Sequence, residues 1–385
     1  MTTQMRTGER LTGALLIIAL TLLSSAVASA QTSGATMTTT TESTVTQPKT
    51  VAATDSTAVT SVGLDAGVTS LASDSNGNVY ATLQYTNKIV KLNGAGTVVG
   101  TFAAGRNPTG LVVDNAAGVL YALNNADNTI TKMGLDGSPL ATFNVAGDGP
   151  VYAALYNGTL YVACERSNTL VRLSAADGAA LGSTAVGARP VWVKVGLSYT
   201  TRTLTLDEQP AASSTSTASS ETAATSEITA VDMEQTDGDS TMAKPNAVAT
   251  IYVSCNKANQ VWKLSPAGGV LAKFDTGRGP FGLAVNSSGE LLVACFWDAV
   301  VMRLSSAGAV LSKTAVGDGP AGLIPYGNVV AVVSNGANSV TRLSLSNGAF
   351  INKDLVDRSP LIGTSNGSSL WIACTGSGTI AKRAL

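Results

Sequence analysis

The chain has 385 residues, with 24 Lys and Arg against 25 Asp and Glu, so its formal net charge is −1 at pH 7. Only 13% of the residues are charged, and no basic stripe or Lys-rich run stands out, which argues against nucleic acid and anionic lipid surfaces as partners. Histidine is absent, so Ser-His-Asp and Cys-His triads and the common His-bearing zinc centres are excluded.

The first 30 residues have the parts of an export signal. Arg6 and Arg10 precede an apolar run over 11–23, and residues 28–30 (Ala-Ser-Ala) form a small-x-small cleavage site. An uncleaved anchor is the alternative, because residues 11–30 are nearly long enough to span a bilayer. We expect a signal peptide over 1–30 and a secreted, periplasmic or cell-surface protein, with no membrane attachment unless the signal is retained.

Residues 31–56 are rich in Thr and Ser and carry few large apolar side chains, which predicts a flexible linker. After this linker, one pattern recurs about every 40 residues. Each copy begins with Gly or Asp, and a Pro follows three residues later in all copies but the first. The starting residues are Asp65, Gly105, Gly147, Gly187, Gly277, Gly317 and Asp357. Such repeats with strand-like contents predict a closed ring of small sheets.

The copy that begins at Gly105 shows the unit most clearly. It reads as four strands at 110–113, 119–123, 129–133 and 140–145, separated by Gly, Asn, Asp and Pro turns. One such sheet buries too little surface alone, so it must stack on its neighbours, and radial closure gives a β-propeller.

The two ends of the repeat region complement each other. The last copy lacks a fourth strand, while residues 57–63 read as a fourth strand without a blade, and their pairing would leave no unpaired sheet edge. We therefore predict an all-β, seven-bladed β-propeller of four-stranded antiparallel blades over 57–385, with the last blade closed by an N-terminal strand.

The fourth copy contains an insertion at about 198–247, and its segment 211–226 consists only of Ser, Thr, Ala and Glu. This composition cannot form a core, which predicts a disordered loop on the face opposite the Gly-x-x-Pro turns. It is either a tolerated surface insertion or a glycosylated or protease-sensitive spacer.

Two stretches carry a family resemblance. Residues 316–320 (Val-Gly-Asp-Gly-Pro) continue to 332–340, and residues 161–164 (Tyr-Val-Ala-Cys) occupy the matching place in an earlier copy. These residues resemble the YVTN group of β-propeller repeats. The Pro-x-Gly-Leu opening and the Asn-x-Val-x-Lys/Arg-Leu strand also resemble NHL and virginiamycin B lyase-like propellers. The resemblance covers all seven copies and implies the fold.

For function, the resemblance implies a lyase, a lactonase, or a binding or cell-surface protein. The virginiamycin B lyase family is understood to use histidine and acidic residues beside a metal. Because this chain contains no histidine, that activity is not expected here.

Four cysteines occupy one equivalent place, the end of the second strand, in blades three, four, five and seven: Cys164, Cys255, Cys295 and Cys374. Neighbouring sheets pack roughly 10 Å apart, whereas a disulfide needs Cα atoms within about 7 Å. We expect four free, buried thiols that behave as small apolar groups, and no zinc site built from them.

Seven cations also recur near the end of the third strand: Lys91, Lys132, Arg172, Lys263, Arg303, Arg342 and Lys382. They could form an anion site, but we expect them to lay their stems along the sheet and to reach solvent or cap nearby carbonyls. The Asn residues that recur in the preceding hairpin are explained by turn geometry.

The face with the Gly-x-x-Pro turns and the Asn hairpins, called the Gly-x-x-Pro face below, varies most between blades. Two positions after the turn Pro, most copies have a small residue, whereas blades three and four have large aromatic ones. With charges nearby, these aromatics suit a shallow site for sugar or peptide, or they plug the central channel. The predicted ligand-binding residues are Arg106, Tyr152, Glu165, Arg166, Arg189, Trp192, Lys257, Arg278, Trp297 and Asp298.

Acidic residues on this face are Asp148, Glu165, Asp298 and Asp318. A lactonase-type propeller would hold a divalent metal with such oxygens, but the sequence shows no converging set, so no metal, cofactor or catalytic residue is predicted.

These features predict an exported, non-catalytic binding or structural module, a monomer that recognises an extracellular protein, peptide or carbohydrate through the Gly-x-x-Pro face. The alternative is a metal-assisted lyase or lactonase of the virginiamycin B lyase-like or gluconolactonase-like type. An enzyme would need carboxylates that converge at the channel mouth, whereas a binder would show an aromatic and arginine patch.

Overall fold

The computed structural model describes residues 60–64, 67–199 and 247–385. The predicted signal peptide and linker lie outside the described residues, as does the insertion apart from the strand ends that border it. Among the described residues, no helix is long and apolar enough to cross a membrane.

Seven four-stranded antiparallel sheets make up the described chain, which confirms the predicted seven-bladed propeller. The first strands of the blades contact one another in ring order. They are β2 (Val68–Ser73), β6 (Pro108–Asp114), β10 (Pro150–Tyr156), β14 (Pro190–Tyr199), β18 (Pro280–Val285), β22 (Pro320–Tyr326) and β26 (Pro360–Ser365), in blades one to seven.

The remaining strands run outward from this ring. The second strands are β3 (Val79–Leu83), β7 (Val119–Asn124), β11 (Thr159–Cys164), β15 (Ala247–Cys255), β19 (Leu291–Cys295), β23 (Val329–Ser334) and β27 (Ser369–Cys374). The third strands are β4 (Lys88–Leu92), β8 (Thr129–Gly134), β12 (Thr169–Ser174), β16 (Gln260–Leu264), β20 (Val300–Leu304), β24 (Ser339–Ser344) and β28 (Thr379–Ala384). The outermost strands are β5 (Val98–Ala103), β9 (Pro139–Asn144), β13 (Ala180–Ala185), β17 (Val270–Asp275), β21 (Val310–Ala315), β25 (Phe350–Leu355) and, in blade seven, β1 (Thr60–Gly63). One-turn 3-10 helices follow β15 and β19 at Asn256–Ala258 and Phe296–Asp298.

The ring closes between the two ends of the described chain. Strand β1 pairs antiparallel with β28, with Thr60 opposite Lys382 and Gly63 opposite Thr379. An early segment therefore supplies the outer strand of the last blade, which holds the ring shut by the hydrogen bonds of a complete sheet.

The core lies between blades. The second strands are buried along their whole length in β3, β7, β19 and β27, because a neighbouring sheet covers each of their faces. Tyr80 and Ile89 of blade one, for example, belong to one buried cluster with Leu111 and Leu120 of blade two. The outer strands β5 and β9 are largely exposed.

Polar groups also tie each blade to the next. In five of the seven blades, the hairpin between the second and third strands carries an Asn with positive φ, as turn geometry predicts, and its Oδ1 accepts a hydrogen bond from a backbone N–H in the turn of the next blade. These bonds of 2.7–2.9 Å join Asn87 to Asn107, Asn128 to Gly149, Asn168 to Arg189, Asn259 to Gly279 and Asn338 to Ser359.

Five of the seven recurring cations, Lys91, Lys132, Lys263, Arg303 and Lys382, form a second set of ties, as the carbonyl-capping interpretation predicts. The Nζ of Lys91 donates to Leu135 O at 3.0 Å, and the Nζ of Lys263 donates to Ser306 O at 2.8 Å. In each pair the carbonyl belongs to the outer hairpin of the next blade. Arg342 instead pairs with Asp354 of its own blade.

Close approach around the axis restricts side-chain size. An added Cβ at Gly282 would lie 2.3 Å from Ala321 O and 2.8 Å from Leu323 N, both backbone atoms of blade six. At Gly110 it would lie 2.8 Å from Val151 O of blade three. These glycines are therefore required by packing.

The four cysteines are free and fully buried, which confirms the prediction from blade spacing. The Sγ of Cys164 donates to Val162 O at 3.8 Å, and the other three make the same contact two residues back. Burial raises the pKa of each thiol to about 12, so the thiolate form is disfavoured in the folded chain.

Thiol labelling without reductant tests this arrangement. We expect four labelled cysteines after denaturation and little labelling of the folded protein, because buried thiols with raised pKa values react slowly. Mass spectrometry of the labelled chain gives the count. Fewer than four labelled thiols under denaturing conditions would mean that some are paired and that the blade positions are wrong.

The packing constraint at the axis is tested by Gly282→Ala. We expect the free energy of unfolding to fall by about 1–3 kcal/mol, because the new methyl group must displace backbone of blade six. Gly63→Ala is the matched control, since an added Cβ there meets nothing within 4 Å. Chemical denaturation measures both variants, and equal losses would contradict close approach at Gly282.

Candidate functional site

The turn before each first strand places one residue in the left-handed region. That residue is Gly in four blades, but it is Asn107, Arg189 and Ser359 in blades two, four and seven, with φ of 56°, 58° and 53°. A large side chain here costs about 1–3 kcal/mol of backbone strain, which glycine avoids. Arg189 therefore stands where the fold alone favours glycine, and its side chain calls for another explanation.

The hairpins between second and third strands form a ring of channel-lining residues. The first residue of each hairpin lines an inner cavity of about 140 Å³. These residues are Gln84, Asn125, Glu165, Asn256, Phe296, Asn335 and Thr375. Their backbone N–H groups are held by the turn of the same blade, as Glu165 N donates to Gly149 O at 2.9 Å. The backbone of these hairpins is therefore held in the same way in each blade, and the blades differ in the side chain at this position.

An outer cavity of about 840 Å³ opens on the Gly-x-x-Pro face over blades three, four and five. It is lined by Glu165, Arg166, Asn168, Ala188, Arg189, Asn256, Lys257, Asn259, Arg278 and Trp297. Six of the ten predicted ligand-binding residues are in this set. The inner and outer cavities share Glu165, Arg189, Asn256 and Trp297, so these residues lie where the two meet.

The other four predicted residues have different positions. Tyr152 and Trp192 line the inner cavity, and Trp192 is only 5% exposed, as the channel-plug interpretation predicts. Asp298 lines neither cavity but holds Arg278. Arg106 lies in neither lining and pairs with Asp127 at 2.5 Å in blade two.

A column of aromatic rings connects the channel to the rim of the outer cavity. Tyr152 stacks on Trp192 with ring centroids 4.0 Å apart, and Trp192 lies 6.1 Å from Phe281. Phe281 lies 6.5 Å from Phe296, which meets Trp297 edge-on at 4.8 Å. Trp297 is 52% exposed at the end of the column, so it offers a rigidly supported apolar face to a ligand.

Sequence reasoning missed Phe281 and gave Asn168 and Asn259 only a turn role. Phe281 follows a turn Pro where other blades have Thr, Val, Ala or Leu, and this difference in size is the signal that could have found it. Asn168 and Asn259 do form turns, but their amides also line the outer cavity.

Three arginines in the cavity are paired with acids. Arg166 donates to Asp148 Oδ1 at 2.8 Å and to Asn125 Oδ1 at 2.7 Å, so its guanidinium is largely occupied. Arg278 is 2.6 Å from Asp298 Oδ1. The Arg189–Glu165 pair is longer, 3.6 Å between Nε and Oε2, and it is partly buried.

The acids respond differently to these surroundings. Burial raises the pKa of Glu165 in spite of the nearby Arg189 and Arg166. A side-chain hydrogen bond from Arg166 lowers the pKa of Asp148. Burial opposes ionisation of Asp298, but hydrogen bonds from Arg278 outweigh it and lower that pKa. Burial also lowers the pKa of Arg189. Burial therefore disfavours the charged form of both partners in the Glu165–Arg189 pair.

The acidic residues do not form a metal centre. Within 60–64, 67–199 and 247–385, no three Cys, Asp or Glu residues group closely enough to hold a metal ion. Asp148 and Asp298 each face an arginine, and Glu165 faces Arg189. The arrangement can hold oxygen-rich groups through donors and stack a ring, but it offers no converging carboxylates.

No family model matches the chain, and no curated protein matches it in sequence. Solved structures do match in fold. A selenomethionine-substituted virginiamycin B lyase from Staphylococcus aureus has 15% identity and a TM-score of 0.63, over 85% of this chain and 99% of that one. A catalytically inactive histidine-to-alanine variant of that enzyme, with quinupristin, has 16% identity and a TM-score of 0.64 over 85% and 99%. Hydrazine synthase of Kuenenia stuttgartiensis has 12% identity and a TM-score of 0.62, over 84% and 97%. At these identities, the likeness shows the propeller fold alone.

The electrostatics of the cavity are tested by Glu165→Gln. Because the folded pKa of Glu165 is raised, its ionised form costs stability at pH 7, and that cost disappears as pH falls and the carboxylate is protonated. We expect the variant to have a higher thermal midpoint than wild type at pH 7, with the difference shrinking toward acid pH.

Asp148→Asn is the comparator of opposite sign. The pKa of Asp148 is lowered, so its charge stabilises the fold at pH 7, and this contribution is lost only as pH falls through the lowered pKa. We expect a lower midpoint at pH 7 and convergence with wild type in strong acid. Thermal scans across pH measure both variants, and a Glu165→Gln midpoint below wild type at pH 7 would contradict the assignment.

Proposed function

We propose that this chain is an exported, non-catalytic propeller that binds an extracellular carbohydrate, peptide or protein through the outer cavity. The observation that carries the proposal is that aromatic and charged side chains gather on three of the seven blades. There the aromatic column ends in the half-exposed Trp297, beside Lys257 and Arg189. Propeller loops that serve packing alone have no need of this clustering.

The wider context fits this proposal. An export signal over 1–30 leads to a secreted, periplasmic or cell-surface protein, and the weakly charged chain gives no reason to expect nucleic acid as a partner. The blades close on themselves through β1 and β28, which supports a monomer because no blade edge needs a second copy.

The alternative is a metal-assisted lyase or lactonase, which the fold likeness to virginiamycin B lyase favours. A histidine-to-alanine change is present in the catalytically inactive variant of that lyase, and this chain has no histidine at all. The acids that pair with the arginines of the cavity are Glu165, Asp148 and Asp298, so a metal at any of them would meet a positive charge. These features favour binding over catalysis. A bound divalent ion, with loss of thermal stability on chelation, would restore the enzyme alternative.

Trp297→Ala tests the binding proposal. We first expect glycan, peptide and protein arrays to give at least one ligand, and then expect the variant to weaken its binding about tenfold or more, because Trp is the residue type most often found at binding hot spots. Calorimetric titration measures the affinity of each variant.

Tyr85→Ala is the matched control. Tyr85 holds the same hairpin position in blade one, is 53% exposed against 52% for Trp297, and also packs over a left-handed glycine of its own blade. We expect its loss to leave affinity unchanged. Equal effects of the two substitutions, or no effect of Trp297→Ala on any ligand, would contradict binding at the outer cavity.

A further inference from the structure

The outer cavity presents hydrogen-bond donors more than acceptors. Asn168 Oδ1 accepts from Arg189 N at 2.7 Å, and Asn259 Oδ1 accepts from Gly279 N at 2.9 Å. With the oxygen of each amide fixed on a backbone N–H, the group left for the cavity is the Nδ2 donor. Each asparagine therefore bonds to the next blade through its Oδ1 and keeps its Nδ2 group as a donor for the cavity.

The cavity also carries one unbalanced positive charge. Arg166, Arg189 and Arg278 each face an acid, namely Asp148, Glu165 and Asp298. Lys257 is exposed, lines the same cavity, and makes no side-chain hydrogen bond or ion pair with the described part of the chain. Three neutral pairs and one free ammonium suit a ligand with a single negative group at this place.

Arg189 adds a second cation that is only loosely held. Its 3.6 Å separation from Glu165 is longer than a charge-assisted hydrogen bond, which is typically about 2.7–2.9 Å. Its side chain is 30% exposed, and its backbone is in the left-handed region with φ of 58°. A strained backbone beneath a poorly satisfied guanidinium is typical of a residue kept for a ligand.

Three backbone N–H groups of the cavity hairpins are already bonded within the chain. Lys257 N donates to Ala188 O at 3.2 Å, Trp297 N donates to Arg278 O at 3.1 Å, and Glu165 N donates to Gly149 O at 2.9 Å. A peptide that binds by strand addition needs free backbone partners, and these three N–H groups are not free. These bonds favour recognition through side chains and the Trp297 face, which suits a ring with many oxygens.

We propose that the outer cavity takes an acidic saccharide. The carboxylate lies with Lys257 and Arg189, the ring hydroxyls accept from the Asn168 and Asn259 amides, and the apolar face of one sugar ring packs on Trp297. This inference rests on the proposed binding function and narrows its ligand class. The cavity volume of about 840 Å³ is within the usual range for small-ligand sites.

The test uses an array of acidic glycans with their carboxyl-reduced counterparts, in which each carboxylate becomes a hydroxymethyl group. We expect an acidic glycan to bind the full chain at pH 7 and low salt, and its reduced form to bind at least about tenfold more weakly. Affinity for the acidic form should also fall as salt is raised.

Substitutions at Lys257 test whether this side chain binds the anionic group of the glycan. Lys257→Met should weaken binding of the acidic glycan about tenfold and leave a reduced glycan unaffected, whereas Lys257→Arg should retain most of the affinity. Lys88→Met is the control, because Lys88 is also exposed on the Gly-x-x-Pro face but lies in blade one, outside the cavity. Thermal midpoints of all variants check that they fold.

Two results would overturn the inference. One is that no acidic glycan binds in a way that depends on Lys257, and the other is that acidic and reduced glycans bind equally. If a neutral glycan, peptide or protein still binds and Trp297→Ala weakens it, the proposed binding function survives without the acidic ligand. If no ligand depends on Trp297, the proposed function fails as well.

Discussion

The close approach of seven first strands around one axis is the constraint on which the rest of this propeller depends. At Gly282, backbone of the next blade lies so near that even a methyl group would meet Ala321 O at 2.3 Å. The equivalent residues in blades three and four, Tyr152 and Trp192, carry rings that stack on each other at 4.0 Å. Both rings line the inner cavity, so the two blades with a large aromatic residue at this strand position fill part of the central channel.

The hydrogen bonds between blades hold the loops in place even where these two large rings lie at the axis. Asn168 and Asn259 hold the turns of the following blades at 2.7 and 2.9 Å, and Lys263 caps a carbonyl of blade five. Because the backbone of each loop is satisfied by such contacts, side chains on the loops can change without disturbing the ring. A propeller with fixed loops and variable side chains is suited to binding, in which geometry must be held before the ligand arrives.

Periodicity and strand spacing made the fold predictable from sequence. The strands expected at 119–123 and 129–133 are observed at Val119–Asn124 and Thr129–Gly134, and the burial of the cysteines followed from blade spacing.

The site was less predictable. Arg106 and Arg278 have the same place in their turns, ion pairs of 2.5 and 2.6 Å, and exposures of 72% and 70%. Only Arg278 lines the outer cavity, together with Trp297 of its own blade and Lys257 of blade four. Sequence gives the position of each residue within a blade, whereas a site depends on which blades stand side by side and how far their loops open.

The likeness to lyases and the content of the cavity lead to different expectations, and the cavity is the better guide. A fold shared at 15% identity constrains the backbone, and chemistry lies in the side chains placed on it. Here Glu165 of the cavity, and Asp148 and Asp298 outside its lining, each pair with an arginine of the cavity, so their charges are balanced within the protein. What remains is one ammonium, a loosely paired guanidinium on strained backbone, two oriented amides and a tryptophan face.

A catalytic site that moves protons needs a group whose charge can change during the reaction. Of the cavity residues, Glu165 comes closest, because burial raises its pKa, but it faces Arg189 where the two cavities meet. Protonation of Glu165 would remove the carboxylate that faces Arg189 and leave the guanidinium available to an anion, which agrees with the proposed binding role.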